Sequence, residues 1–164
     1  MTSSLVNIGL HDYDELDGNT SVASIAARRA ASKGILICTG IGNFGPGMGT
    51  LLSPADADSI LSIGAVDRNG VLAIFSSRGP TADGRMKPEV LAPGVKVYAA
   101  SFLSQNQYER VDGTSFSTPL TAGVAALILE NYPHWGPMKL REALIMTPSR
   151  AENPDNEFGW GIIN

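Results

Sequence analysis

The stretch Asp112–Glu130, DGTSFSTPLTAGVAALILE, decides the fold: a polar turn carrying Ser115 runs directly into a helix of small and apolar residues. Gly113 can take backbone angles that residues with a side chain avoid, and the free amides of a helix start favour an anion forming beside the serine hydroxyl. Pro119 falls within the first turn or so, where its missing donor costs little. Beyond it, Leu120 and the run Gly123 to Leu129 leave almost no polar face, which predicts a helix buried on nearly every side. Taken alone, Gly113-Thr114-Ser115 is equally the pattern of an ordinary helix cap.

Outward from this helix the chain alternates. Residues 4–10, SLVNIGL, have the apolar content of a short strand. Asn19 or Thr20 opens a helix running to Lys33, with Val22, Ile25, Ala26 and Ala30 expected inward, Arg28, Arg29 and Lys33 outward, and Gly34 as its stop. Residues 35–39 then read as a fully buried strand, which completes a strand, helix, strand unit of the kind that builds parallel sheets. The strand ends in TGIGNFGPGMG, residues 39–49, which leaves Asn43 at a strand's carboxyl end, where open α/β sheets place their ligands. By itself, an asparagine between glycines is a turn residue. Residues 59–66 form a further strand, and residues 90–100 give extended pieces interrupted at Pro93-Gly94. Residues 102–111 read as a polar connection. After Tyr132-Pro133, Gly136-Pro137 opens a short amphipathic helix with Leu140, Ala143 and Leu144 inward.

The run GTSFSTPLTAGVAALIL closely resembles the nucleophile motif of the subtilisin-like serine peptidases, with Ser115 in the nucleophile position. It departs at Leu120, where many members carry a histidine that is not the catalytic one. The glycine-rich segment resembles the family's oxyanion motif, with Asn43 as the amide donor. Residues 75–94, FSSRGPTADGRMKPEVLAPG, follow a family scaffold segment with Glu89 where aspartate is commoner, and FGWGIIN resembles the end of the catalytic domain. The resemblance implies an α/β fold of the subtilisin-like, doubly wound parallel type. It corresponds to the C-terminal half of the domain over residues 1–164, with the aspartate and histidine segments expected before Met1. It also implies a serine endopeptidase in which Ser115 attacks the scissile carbonyl while the Asn43 side chain and the Ser115 amide hold the oxyanion. Substrate contacts fall at Ser4, Leu5, Val6, Gly40, Ile41, Gly42 and Thr114, and Val6 and Ile41 crowd the primary specificity pocket.

The base is the gap. The chain contains two histidines. His134 lies in a turn beyond the serine helix, and His11, although beside Asp12 and Asp14, lacks the motif that places the family's histidine. The chain by itself is therefore expected to be inactive. The alternative is a non-catalytic relative that binds peptides or serves as a scaffold.

Composition limits the other classes. A chain of 164 residues fits one domain. A net charge of −4 without a basic run argues against nucleic acid as the main partner. The longest apolar run is too short to span a bilayer. Cys38, the one cysteine, lies in an apolar run and reads as core. No cofactor is expected. Calcium often stabilises the family, but no dense carboxylate loop marks a site. Met1-Thr2-Ser3 carries neither part of a signal peptide, and the resemblance implies a secreted or cell-envelope enzyme. Expected partners are a protein or peptide substrate and the N-terminal half of the domain. A second copy meeting the exposed sheet edge is the other possibility.

Overall fold

The structure is a computed structural model and describes residues 13–101 and 105–163. After a 3-10 turn at Tyr13–Glu15 come helix α1 (Val22–Ser32), strands β1 (Cys38–Gly40), β2 (Leu61–Val66), β3 (Val90–Pro93), β4 (Val97–Ala100) and β5 (Tyr108–Val111), then helices α2 (Thr114–Asn131) and α3 (Pro137–Met146). Strands β1, β2 and β3 are neighbours in that order and all parallel, with Cys38 opposite Leu61 and Ile63 opposite Val90. Every residue of β2 is buried, as expected of a central parallel strand covered on both faces. The C-terminal segment continues the sheet beyond β3: Leu91 N donates to Gly161 O and Ile163 N to Leu91 O.

Helix α2 crosses all three strands. Alternate residues of the sheet, Cys38, Leu61, Ile63, Val90 and Ala92, meet Ala125 of α2 and Leu140 and Leu144 of α3 in the main core. Burial raises the Cys38 thiol pKa to about 11, so it packs as an inert apolar group. Beneath α3 lies a buried ionic cluster. Glu89 Oε1 accepts from Lys87 Nζ at 2.6 Å and from Arg141 at 2.9 Å, while Oε2 accepts from the Ser62 amide and hydroxyl, each at 2.7 Å. Arg141 also donates to Ile60 O, tying α3 to the entrance of β2.

Several expectations are corrected. The inward face of α1 is Ser24, Ala27 and Ala31, whereas Val22 is 82% exposed and Ala26 is also exposed. The reason is polar: Ser24 Oγ donates to the buried Asp56 carboxylate at 2.6 Å and meets Ser53 Oγ at 2.8 Å, so this hydroxyl network sets the helix rotation. The strand expected over residues 35–39 begins only at Cys38, with Ile35 exposed. The polar connection contains a strand, since β5 pairs antiparallel with β4. Helix α2 is not buried all round: Leu120, Gly123, Ala126 and Leu127 are exposed along one side. The expected strand at residues 4–10 lies outside the described residues.

Candidate active site

The mouth of α2 rests on the carboxyl ends of the parallel strands because two glycines remove the atoms that would block it. A Cβ on Gly40, at the end of β1, would lie 2.8 Å from Thr114 Oγ1. One on Gly94, just after β3, would lie 2.3 Å from Ser117 Oγ and 2.6 Å from the Ala65 Cβ. Gly94 also anchors the turn, accepting a 2.8 Å hydrogen bond from Gly113 N. Gly113 caps α2 with φ 147°, a conformation that residues with side chains rarely adopt, and it offers no capping side chain to the helix amides.

Those amides have distinct destinations. Thr114 N donates to Asn43 Oδ1 at 2.9 Å, and Thr114 Oγ1 approaches the same oxygen at 3.1 Å. Phe116 N turns back to Gly113 O. The Ser115 amide has no acceptor among the described residues, and its side chain is exposed. With its oxygen held, the Asn43 amide group is oriented, and Asn43 Nδ2 lies 3.6 Å from where a Gly113 Cβ would be. The first turn of α2 contains no acidic residue, so the positive end of the helix dipole is uncompensated within that turn. The structure thus brings Asn43, Thr114 and Ser115 to one place.

The Asn43 loop is clamped from outside by residues 75–77. Ser77 Oγ accepts from Phe44 N at 2.9 Å, Ser77 N donates to Gly42 O at 3.0 Å, and Gly45 N donates to Phe75 O at 2.9 Å. A Cβ on Gly42 would strike Ser77 Oγ at 2.8 Å. The segment expected to be scaffold therefore holds the asparagine loop in position.

Two of the residues expected to contact substrate have buried side chains. Ile41 is fully buried with Leu16, Leu51 and Ala55, because its side chain fills a second core cluster rather than an accessible pocket. Thr114 is buried as well, and its hydroxyl is engaged with Asn43. Gly40 and Gly42 shape the backbone around it. Ser4, Leu5 and Val6 lie outside the described residues, as does His11. His134 lies beyond the far end of α2: an 18-residue helix is about 27 Å long, so this imidazole cannot meet Ser115. The positioning roles of Gly94 and Ser77 escaped the sequence reading. Their only signals were a Pro-Gly break and a serine in a scaffold segment.

Parallel strands that present their carboxyl ends to a helix mouth define an α/β protein, and open sheets of this class place their ligands at that edge. The chain belongs to the subtilase family of serine peptidases, whose family model matches residues 4–161. It is 36% identical over 159 residues to the serine protease AprX of Bacillus subtilis (strain 168), covering 85% of this chain and 36% of that protein. It is 38% identical over 151 residues to subtilisin DY of Bacillus licheniformis, covering 90% and 51%. Among solved structures, the self-cleaved protease domain of PatA superposes with a TM-score of 0.74 at 29% identity, covering 95% of this chain and 56% of that one. The chain thus spans about half or less of the two curated relatives, and its fold is part of the subtilisin-like α/β domain.

Proposed function

We propose that this chain carries the nucleophile and the oxyanion donors of a serine endopeptidase that cleaves peptide bonds in proteins. One observation carries the reading: the Asn43 oxygen is fixed by the Thr114 amide beside an exposed Ser115 whose own amide is uncommitted. Such a pair of donors is suited to the charge that develops as a serine oxygen adds to a carbonyl. Ser115 Oγ bonds to the carbonyl carbon, its proton passes to a base, and the carbonyl oxygen becomes the anion held by Asn43 Nδ2 and Ser115 N.

The base comes from polypeptide outside these 164 residues on this reading, since His134 lies beyond the far end of α2 and His11, which is outside the described residues, lacks the motif that places the family's histidine. Residues 1–164 are accordingly the C-terminal half of the catalytic domain and inactive by themselves. The exposed side of α2, with Leu120, Gly123 and Leu127, is the surface that the other half covers, or through which two copies associate in its absence. The enzyme acts outside the cell or in its envelope. No helix among the described residues is long and apolar enough to cross a membrane.

The test is reconstitution. Joined to a segment bearing the family's aspartate and histidine motifs, the chain hydrolyses a chromogenic peptide, and Ser115→Ala abolishes turnover. The same placement of His134 favours a second reading, a peptide-binding relative without catalysis. A folded reconstituted protein that binds peptides but never turns them over would establish it.

A further inference from the structure

The β4–β5 ribbon leads directly into the serine turn, and its two faces differ. Alternation puts Val97, Glu109 and Val111 on the half-buried side and Tyr98, Tyr108 and Arg110 on the exposed side. Tyr98 and Arg110 are paired across the strands, with the guanidinium carbon 5.7 Å from the ring centroid. Just before β4, Lys96 is exposed and held at a left-handed φ of 54°, with its amide donating to Asp112 Oδ1 at 2.6 Å. A strained residue with a long cationic side chain, pinned this firmly beside a site, calls for a functional reason. The turn after β2 supplies Arg68 to the same cleft.

Arg68, Lys96 and Arg110 form no ion pair among the described residues, as is also true of Arg28, Arg29, Lys33 and Lys139, but these three line one cleft. The one carboxylate lining the cleft, Asp67, accepts from Val71 N at 2.9 Å and Asn69 N at 2.8 Å, and these bonds, with a lesser contribution from the Arg68 charge, hold its pKa below the ordinary value. Three unpaired cations beside two exposed tyrosines therefore gather on a protein of net charge −4. Aromatic and cationic side chains of this kind dominate contact energy in protein recognition.

We propose that this ribbon face, with Arg68 across the cleft, recognises acidic residues of the polypeptide whose bond Ser115 attacks. The proposal rests on the reading of Ser115 as a nucleophile. Arg110 is five residues from Ser115, so their Cα atoms are at most about 18 Å apart. An extended substrate advances about 3.3 Å per residue, which places the recognised acidic residues within about five positions of the attacked bond.

The test is binding, measured on the full chain carrying Ser115→Ala by fluorescence anisotropy. The probes are extended peptides identical except for glutamates, glutamines or lysines at several positions. The glutamate peptide should bind about tenfold more tightly than the glutamine peptide, with the advantage shrinking as salt is raised. Arg110→Glu combined with Lys96→Glu should invert the preference toward the lysine peptide, an outcome that misfolding cannot imitate. Equal binding of glutamate and glutamine peptides overturns the proposal, and so does an acidic preference that survives the reversal. Single-stranded DNA of equal charge binding as tightly as the peptide would make the face a general polyanion surface, and would overturn it too. Because no turnover is needed, the acidic preference is read independently of catalysis, and the protease reading alone is lost if the chain joined to the missing half of the domain stays inert while this preference holds. An active protease without the preference loses only this surface.

Discussion

Asn43 is held by a backbone and a side-chain donor of the same residue, and the two contribute differently. In a reconstituted enzyme, Asn43→Ala should lower turnover about a hundred- to a thousandfold with little change in substrate binding. That is the magnitude known for loss of such an asparagine in a subtilisin. Thr114→Val removes only the hydroxyl contact, worth about 1 kcal/mol, so turnover should fall no more than about tenfold. Steady-state kinetics separates the two.

Glu89 answers to a different balance. Burial alone would raise its pKa, but the Lys87 ammonium and the Arg141 guanidinium outweigh burial and hold it below the ordinary glutamate value. A carboxylate depressed on folding stabilises the protein fully above its unfolded pKa, and that stabilisation is lost as pH falls through the lower folded value. Acid unfolding followed by circular dichroism should therefore steepen below about pH 4.3. Glu89→Gln should leave Lys87 buried without its counterion, cost about 3–5 kcal/mol at neutral pH, and flatten that acid limb. Unchanged stability in urea would refute the assignment.

At the scale of elements, two glycines near or within α2 make opposite forecasts. Gly94→Ala forces a methyl group against Ser117 Oγ and Ala65, and overpacking of this kind costs about 1–3 kcal/mol while displacing the serine turn. Gly123 has nothing within 4 Å of its added Cβ. Gly123→Ala should therefore raise the stability of the isolated chain by up to about 1 kcal/mol, the helix propensity difference. Chemical denaturation of both variants checks the pair.

The elements also show what was legible beforehand. Helix α2, strand β2 and α3 announced themselves by apolar runs and by proline and glycine punctuation. The rotation of α1 did not, because it depends on Ser24 reaching Ser53 and Asp56, residues distant in sequence whose polarity reads as surface. Strand β5 was hidden for a related reason: its exposed face carries Tyr108 and Arg110, so no apolar alternation marks it. The positions of Ser115 and Asn43 could be anticipated from motifs, whereas the burial of Ile41 needed Leu16, Leu51 and Ala55 in place around it.

For the whole molecule, the exposed side of α2 is the feature with the largest consequence. Leu120 and Leu127 are 43% and 62% exposed on one side of an otherwise packed helix. An apolar stripe of this sort on a free chain favours association. Light scattering at tens of micromolar should detect oligomers, and Leu127→Glu should reduce them without loss of folding. A monomer that binds no hydrophobic dye would show that the stripe is covered from within.

On the reading proposed above, Ser115 is a nucleophile awaiting a base. The most direct measurement of that claim is fluorophosphonate labelling read by peptide mass spectrometry, on this chain alone and joined to the N-terminal part of the subtilase domain of AprX. The predicted result is negligible labelling of the chain alone and rapid labelling at Ser115 in the joined protein, slowed by Asn43→Ala and absent in Ser115→Ala. A joined protein that is folded and compact, yet unlabelled at Ser115, would contradict the claim.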